Sequence, residues 1–338
     1  MKLLVPALVS TALLALAACS DPNAIRSFGG PTMGSTYQVT YFGAASVATV
    51  RAVVEAELAA FDATFSNWRP DSEIARVNAH ASATRLPVSP LFAAVLQLAL
   101  DIAVATDGAF DPTVKPLSDL YRARKRDPEH RLDAVAAAAA RARVDYRAVQ
   151  VRDGAVEKAR ADVTLDLDGL VAGAAADAVG VRLTQLGVQS FFLEITGEVL
   201  CRGHKPGGEP WRIGVVDPSA DLVGDQVPIR SLALRDRALC TSGDYRNGFL
   251  HAGEFVHHVF DPRTGQNPKH QVVSASVLAD RAAVADALGT AFLVLGPDGT
   301  RAAWPSLQRF LVHGALLLLP GSDGKLEQQE ITWPKEDS

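Results

Sequence analysis

Residues 164 to 180, TLDLDGLVAGAAADAVG, constrain the fold more than any other stretch of the chain. An apolar strand over Val163 to Leu167 delivers Asp166 and Asp168 to Gly169, and a helix of small residues begins at once. The spacing predicts that helix from Gly169 to about Leu186. The run Gly173, Ala174, Ala175 and Ala176 leaves little side chain to fill space, so another backbone or a ligand can come close. The helix start offers free N–H groups and a positive dipole end, which suits a phosphate. The two acids suit capping of the same helix equally well.

Around this segment, strand and helix patterns alternate. Strands are expected at Thr36 to Phe42, Ala148 to Arg152, Ala155 to Lys158 and Ser190 to Ile195, then at residues 211–216, 228–234, 254–260 and 271–279. Helices are expected at Ser46 to Thr64, at residues 88–105, across LDAVAAAAARARV, and at Arg281 to Leu295. Adjacent strands with intervening helices imply an α+β body with antiparallel pairing in the second half. No internal repeat or low-complexity linker divides it. A net charge of −5, without a long basic run, argues against nucleic acid as a partner.

The N-terminus is set apart. Lys2 precedes an apolar stretch from Leu3 to Ala18 that is too short and too early for an ordinary membrane span. It ends in Leu16-Ala17-Ala18-Cys19, which resembles the lipobox of bacterial lipoproteins. That resemblance implies a signal peptide over residues 1–18, a lipidated (palmitate-bearing) Cys19 and a tether over residues 19–28. It also implies a periplasm-facing position in the cell envelope, held to the membrane by the lipid. Ser20 follows the cysteine and Asp21 comes next; the inner membrane is favoured over the outer. The remaining cysteines, Cys201 and Cys240, either pair or stay as buried thiols, and neither has metal-ligand spacing.

Several segments carry chemistry. GGPTMGSTYQVTYF (29–42) is a glycine-flanked turn entering a strand; FSNWRPDSEIARVN (65–78) sets Trp68 before a turn and a short helix, as a packing residue or a stacking surface. TDGAFDPTVKPL (106–117) breaks a helix and presents Asp111 before a proline. In ADALGTAF (285–292), Asp286 and Thr290 are four apart and share a helix face among apolar neighbours. A carboxylate and a hydroxyl are hard oxygen donors fit for Mg²⁺. In VHHVFDPRTGQNP (256–268), His257 and His258 end a strand before a sharp turn, so at most one of them faces a given pocket.

TMGSTY, NWRPDSEI, DGAFDPTV, LDLDGLVAG, TSGDYRN, HHVFDPRTG and ADALGTAFLVLG follow one another in the order of the ApbE family of FAD:protein FMN transferases, which the chain resembles over residues 29 to 297. The resemblance implies an ApbE-like, T-fold-related α+β fold: a two-lobed single catalytic body over residues 29–330, with a mixed, largely antiparallel sheet, flanking helices and a polar tail at 331–338. It implies FAD as substrate, Mg²⁺ as cofactor, and transfer of FMN to a threonine or serine hydroxyl of a target flavoprotein in a membrane redox complex, with release of AMP. A Mg²⁺-dependent FAD pyrophosphatase and a catalytically weak FAD-binding lipoprotein are the alternatives. By position, Met33, Trp68, Ala109, Phe110, Asp111, Asp166, Ala172 and Phe260 would face FAD, and Gly169, Asp286, Gly289 and Thr290 the metal. His258 would be the catalytic base and His257 its solvated or packing neighbour. The chain departs from the family pattern at Ala172, where a lysine is usual, and in Tyr121 to Arg126, a basic stretch expected as a solvated loop in place of an aromatic-rich segment.

Overall fold

The strands assemble mainly into one eight-stranded sheet. The computed structural model describes residues 23–127, 129–130, 132–218, 228–243, 248–251, 253–270, 272–321 and 325–335. Elements are numbered in chain order. Across the main sheet the order is β1 (Ile25–Thr32), β2 (Ser35–Phe42), β6 (Ser190–Ile195), β7 (Glu198–Arg202), β10 (Ala238–Gly243), β13 (Ser274–Ala279), β14 (Val312–Pro320) and β15 (Leu326–Ile331). Three small sheets accompany it: β3 (Leu86–Pro87) with β5 (Ala155–Lys158) and β4 (Val149–Arg152), β8 (Trp211–Val216) with β9 (Pro228–Leu234), and β11 (Gly248–His251) with β12 (Glu254–His257). Every strand pairing among the described residues is antiparallel.

The helices are α1 (Val47–Phe65), α2 (Glu73–Ala79), α3 (Pro90–Ala105), α4 (Lys115–Arg126), α5 (Ala134–Ala142), α6 (Asp168–Gln185) and α7 (Ala282–Leu307). Ser46, Ser72, Ser89 and Asp133 each accept a backbone N–H at a helix start, which fixes where α1, α2, α3 and α5 begin. α7 is interrupted at Gly296 (φ 66°) before Pro297, so its first segment ends at Leu295 as the periodicity predicts.

Both faces of the sheet are covered. Helices α6 and α7 pack on one face with Cys240, Ala275, Val277, Ala315 and Leu317 in the main core. The β8–β9 hairpin belongs to a second core with Cys201, Leu239, Leu278, Leu316 and Leu318. Cys201 and Cys240 are therefore buried free thiols in different cores, and the disulfide alternative is excluded. A satellite core of Leu117, Ala140 and Val144 ties α4 to α5, with Phe260 packed against it.

Four expectations change. Residues 25–28 belong to β1, paired with β2, with Phe28 buried, so the tether reaches no further than Ala24. Residues 163–167 form no strand: Asn78 bonds both the N–H (2.7 Å) and the carbonyl (2.9 Å) of Leu165, and Asp166 N–H donates to Pro112 O (2.8 Å). The basic stretch Tyr121 to Arg126 is the second half of α4, an amphipathic helix that buries Leu117 and Tyr121, exposes Lys125 and Arg126 and half-buries Arg122 and Arg124. The expected polar tail begins in the body, because Ile331 ends β15 and Trp333 is buried in the second core. The signal peptide and Cys19 lie outside the described residues. No described helix is long and apolar enough to cross a membrane.

Candidate active site

α6 and α7 meet at the floor of the site, and the small residues explain how. A side chain on Gly173 would sit 2.3 Å from the carbonyl oxygen of Ala282, so only glycine lets the two backbones approach this closely. The approach has a chemical result. Gly173 N–H donates to Asp286 Oδ2 (3.0 Å), fixing a carboxylate that is only 5% exposed. One turn along α7, Thr290 Oγ1 lies 3.3 Å from where a side chain on Gly169 would begin, and 3.5 Å from Ser242 Oγ on β10. Asp286, Thr290 and Gly169 therefore line one cavity of about 470 Å³, within the ~300–1,000 Å³ usual for small-molecule sites.

The wall facing α7 comes from the loop after α3. Asp111 accepts from Thr113 N–H (2.7 Å), Thr113 Oγ1 (2.6 Å) and Tyr146 N–H (3.1 Å), holding Ala109 and Phe110 against the cavity. Both carboxylate oxygens of Asp111 thus already anchor the loop. Burial raises its pKa despite these donors. Asp166 (7% exposed) accepts from Asn67 Nδ2 (3.1 Å) and from Asp168 N–H (3.1 Å); Asn67 also donates to Asp168 Oδ1 (2.9 Å). Phe260 meets Tyr121 edge to face at 5.8 Å, and both line the cavity. Trp68 stands at its rim, 73% exposed.

The two histidines separate as alternation requires. His257 ends β12, is buried and stacks on Phe255 at 6.1 Å; His258 is exposed and lines the cavity. The expected strand to residue 260 stops at His257 because the chain turns away there. Asn267 Nδ2 donates to the carbonyls of His257 (2.8 Å) and Val259 (2.6 Å), clamping the backbone on both sides of His258. The turn behind it is closed by Asp261, which takes Arg263 in a two-bond fork (2.9 Å each) and pairs with Gln266.

Met33, Ala172 and Gly289 do not line the cavity. Met33 occupies the β1–β2 turn (φ 47°) against the main core. Ala172 lies on the α6 surface beyond Gly169, partly exposed. The Cα of Gly289 faces Ser242 on β10, where a side chain would come within 2.6 Å of Ser242 Oγ.

Sequence reasoning missed Glu198 on β7. Its Oε2, sealed from water, has no hydrogen-bond partner among the described residues and belongs to a cavity-lining side chain; the Cys240 thiol donates to Ala282 O (3.4 Å). Burial and the neighbouring Asp286 carboxylate push the pKa of Glu198 well up. Asp286 is itself raised to about 7 by burial and by Asp168 and Asp177, against the Gly173 N–H that lowers it. Desolvation in the cleft and the Asp166 carboxylate also raise Asp168, although its side chain is 53% exposed and water tempers the first effect. Carboxylates that oppose one another's ionisation in one cavity, with an unpartnered oxygen among them, fit a divalent cation. Asp286, Thr290 and the Gly169 carbonyl are the hard oxygen donors on hand to hold it. A single acid in the apolar run EVLC was the sequence signal for Glu198.

Residues 33–310 match the model of the ApbE family. The chain is 33% identical over 293 residues to the FAD:protein FMN transferase of Vibrio cholerae, covering 85% of this chain and 86% of that one. It is 35% identical over 277 residues to the FAD:protein FMN transferase of Klebsiella pneumoniae, covering 80% and 78%. The apo crystal structure of the Pseudomonas stutzeri flavinyl transferase ApbE superposes with a TM-score of 0.80 at 32% identity, over 91% of this chain and 94% of that chain.

Proposed function

The chain belongs to the ApbE family, and from that premise we infer that it is an FAD:protein FMN transferase acting on a hydroxyl of a flavoprotein acceptor. The observation that carries the reading is one cavity lined at once by His258 and by Asp286, Thr290 and Gly169. In the proposed reaction a threonine or serine hydroxyl of the acceptor attacks the phosphorus of the FMN half. Its oxygen forms the new P–O bond, its proton passes to the imidazole of His258, and the bond to the AMP phosphate breaks. Histidine suits the task because its ordinary pKa, about 6.5, leaves it free to accept a proton near neutral pH. The clamp by Asn267 holds the segment that carries it.

Asp286, Thr290 and the Gly169 carbonyl would hold Mg²⁺, with Glu198 lining the same cavity. When bound, the ion neutralises phosphate charge and stabilises the charge developing on departing AMP. Trp68, Phe110 and Phe260 offer flat surfaces for the rings of FAD. Cavities of about 460 and 290 Å³ flank this one, sharing Asp111 and Pro262 on one side and Trp68 and Arg122 on the other, so an extended dinucleotide has room to lie along the cleft. The lipobox-like Leu16-Ala17-Ala18-Cys19 supports a lipid-anchored, periplasm-facing protein, whose acceptor would be a subunit of a membrane redox complex.

The test is incubation with FAD and Mg²⁺, with and without an acceptor domain carrying a target threonine. Covalent flavin fluorescence on the acceptor, with AMP released in equal amount, is expected. Free FMN and AMP regardless of acceptor would make the protein a pyrophosphatase, and intact bound FAD a binding protein.

A further inference from the structure

The cleft is crowded with carboxyl groups, yet its substrate is an anion. Asp111, Asp166, Asp168, Glu198 and Asp286 all line it. Against them, Arg122 is the single lysine or arginine among the described lining residues. It reaches in from α4, the helix whose basic sequence read as a solvated loop.

The setting of Arg122 is that of a binding group rather than a closed ion pair. Nη2 lies 3.6 Å from Asp166 Oδ2 and 3.5 Å from Asp168 Oδ2, both longer than the ~2.7–2.9 Å of a tight charge-assisted bond. Nη1 donates to Asp119 Oδ1 at 3.1 Å, outside the cavity lining. The group lies 5.5 Å over the Trp68 ring at the cavity rim and borders both this cavity and the adjoining one of about 290 Å³. A guanidinium carries five N–H donors in a planar fork matched to phosphate oxygens. The Asp286 end of the cleft has oxygen donors for a cation; at the Asp166 and Asp168 end Arg122 is the cation in the lining, with Lys115 acting on Asp168 from the adjoining cavity.

We propose that Arg122 is a substrate-binding residue, whose guanidinium takes a phosphate of FAD at the mouth of the cleft while the Asp286 end holds the metal. The proposal rests on the transferase reading and adds to it the group that reads the dinucleotide's charge at this end. Specificity for FAD over unphosphorylated flavin then resides partly on α4.

The experiment compares full-length wild type in detergent with Arg122→Met and Arg122→Lys, measuring FAD, FMN and riboflavin binding by flavin fluorescence and covalent transfer to an acceptor domain. Arg122→Met is expected to weaken FAD or FMN by about tenfold to a hundredfold, the effect of losing one charge-assisted hydrogen bond. Riboflavin, which has no phosphate, should bind as before, Arg122→Lys should recover part of the loss, and salt should weaken FAD less in the Met variant than in wild type. Equal weakening of riboflavin would mean that Arg122 only pins Asp166 and Asp168, and would overturn the proposal. So would unchanged FAD binding by Arg122→Met in a protein whose wild type transfers FMN. A wild type that neither binds FAD nor transfers FMN defeats the transferase reading itself, and this inference with it.

Discussion

Replacing Gly173 by alanine adds one methyl group where α6 meets the first turn of α7. That methyl would stand 2.3 Å from Ala282 O, 2.5 Å from Ala282 C and 2.8 Å from Ala283 N. All three are backbone atoms, so no side chain can rotate away. Restoring an ordinary ~3.5 Å contact requires the helices to part by roughly 1 Å. The same movement stretches the Gly173 N–H bond to Asp286 (3.0 Å) and the bonds from Asp177 to the N–H groups of Ala282 and Ala283 (2.8 and 3.2 Å). Overpacking of this kind costs about 1–3 kcal/mol, and loss of a hydrogen bond to a charged group about 1.5–3 kcal/mol more. The better helix propensity of alanine returns up to about 1 kcal/mol. The balance is a loss of roughly 1.5–5 kcal/mol, which at ~2.1 cal/mol/K of unfolding entropy per residue lowers Tm by roughly 2–7 °C. Thermal unfolding followed by circular dichroism measures it. A Tm within about a degree of wild type would show that the two helices do not meet as described, and the account of the site floor would fail with it.

Three further outcomes are expected. His258→Ala should keep FAD binding and lose transfer by about 10²–10⁴-fold, the usual contribution of a positioned base; single-turnover transfer beside a binding titration decides it, and lost binding with normal residual turnover would contradict the role. Asp286→Ala should no longer take up Mg²⁺ in a calorimetric titration, and an unchanged isotherm would remove Asp286 from the metal site. Burial, with His258 and His270 nearby, lowers the pKa of His257 to about 4, so the folded protein keeps it neutral while the unfolded chain protonates it below about 6.5. Its contribution to stability is complete above pH 6.5 and is lost as pH falls towards 4, by roughly 3 kcal/mol at most. Urea unfolding at several pH values should show a shallower acid loss for His257→Gln; an identical slope would refute the assignment.

Where a strand is half covered or a helix carries its own signals, local pattern alone was enough. β6, β8 and β9 begin and end where they are expected, because fully buried residues alternate with less buried ones along all or part of each. β14 escaped notice for the opposite reason. Its run VHGALLLLP is buried on both sides, with Leu316 and Leu318 in one core and Ala315 and Leu317 in the other, so no alternation survives to be read. α4 was hidden by composition: five of its residues are lysine or arginine, and only the fold reveals that Leu117 and Tyr121 form a buried stripe beneath them.

The order of short motifs along the chain determined the family and named His258, Asp286 and Thr290 as residues to watch. Each motif is local, and its spacing is written in neighbouring residues. Tertiary structure alone decided which groups share the cavity: Glu198 from β7, Ser242 from β10, Arg122 from α4, while Met33, Ala172 and Gly289 fell outside its lining. The physical reason is distance along the chain. Burial, mutual repulsion of carboxylates and the position of a guanidinium beside Asp166 and Asp168 arise between residues far apart in sequence, and they exist only once α6 and α7 have closed on Gly173.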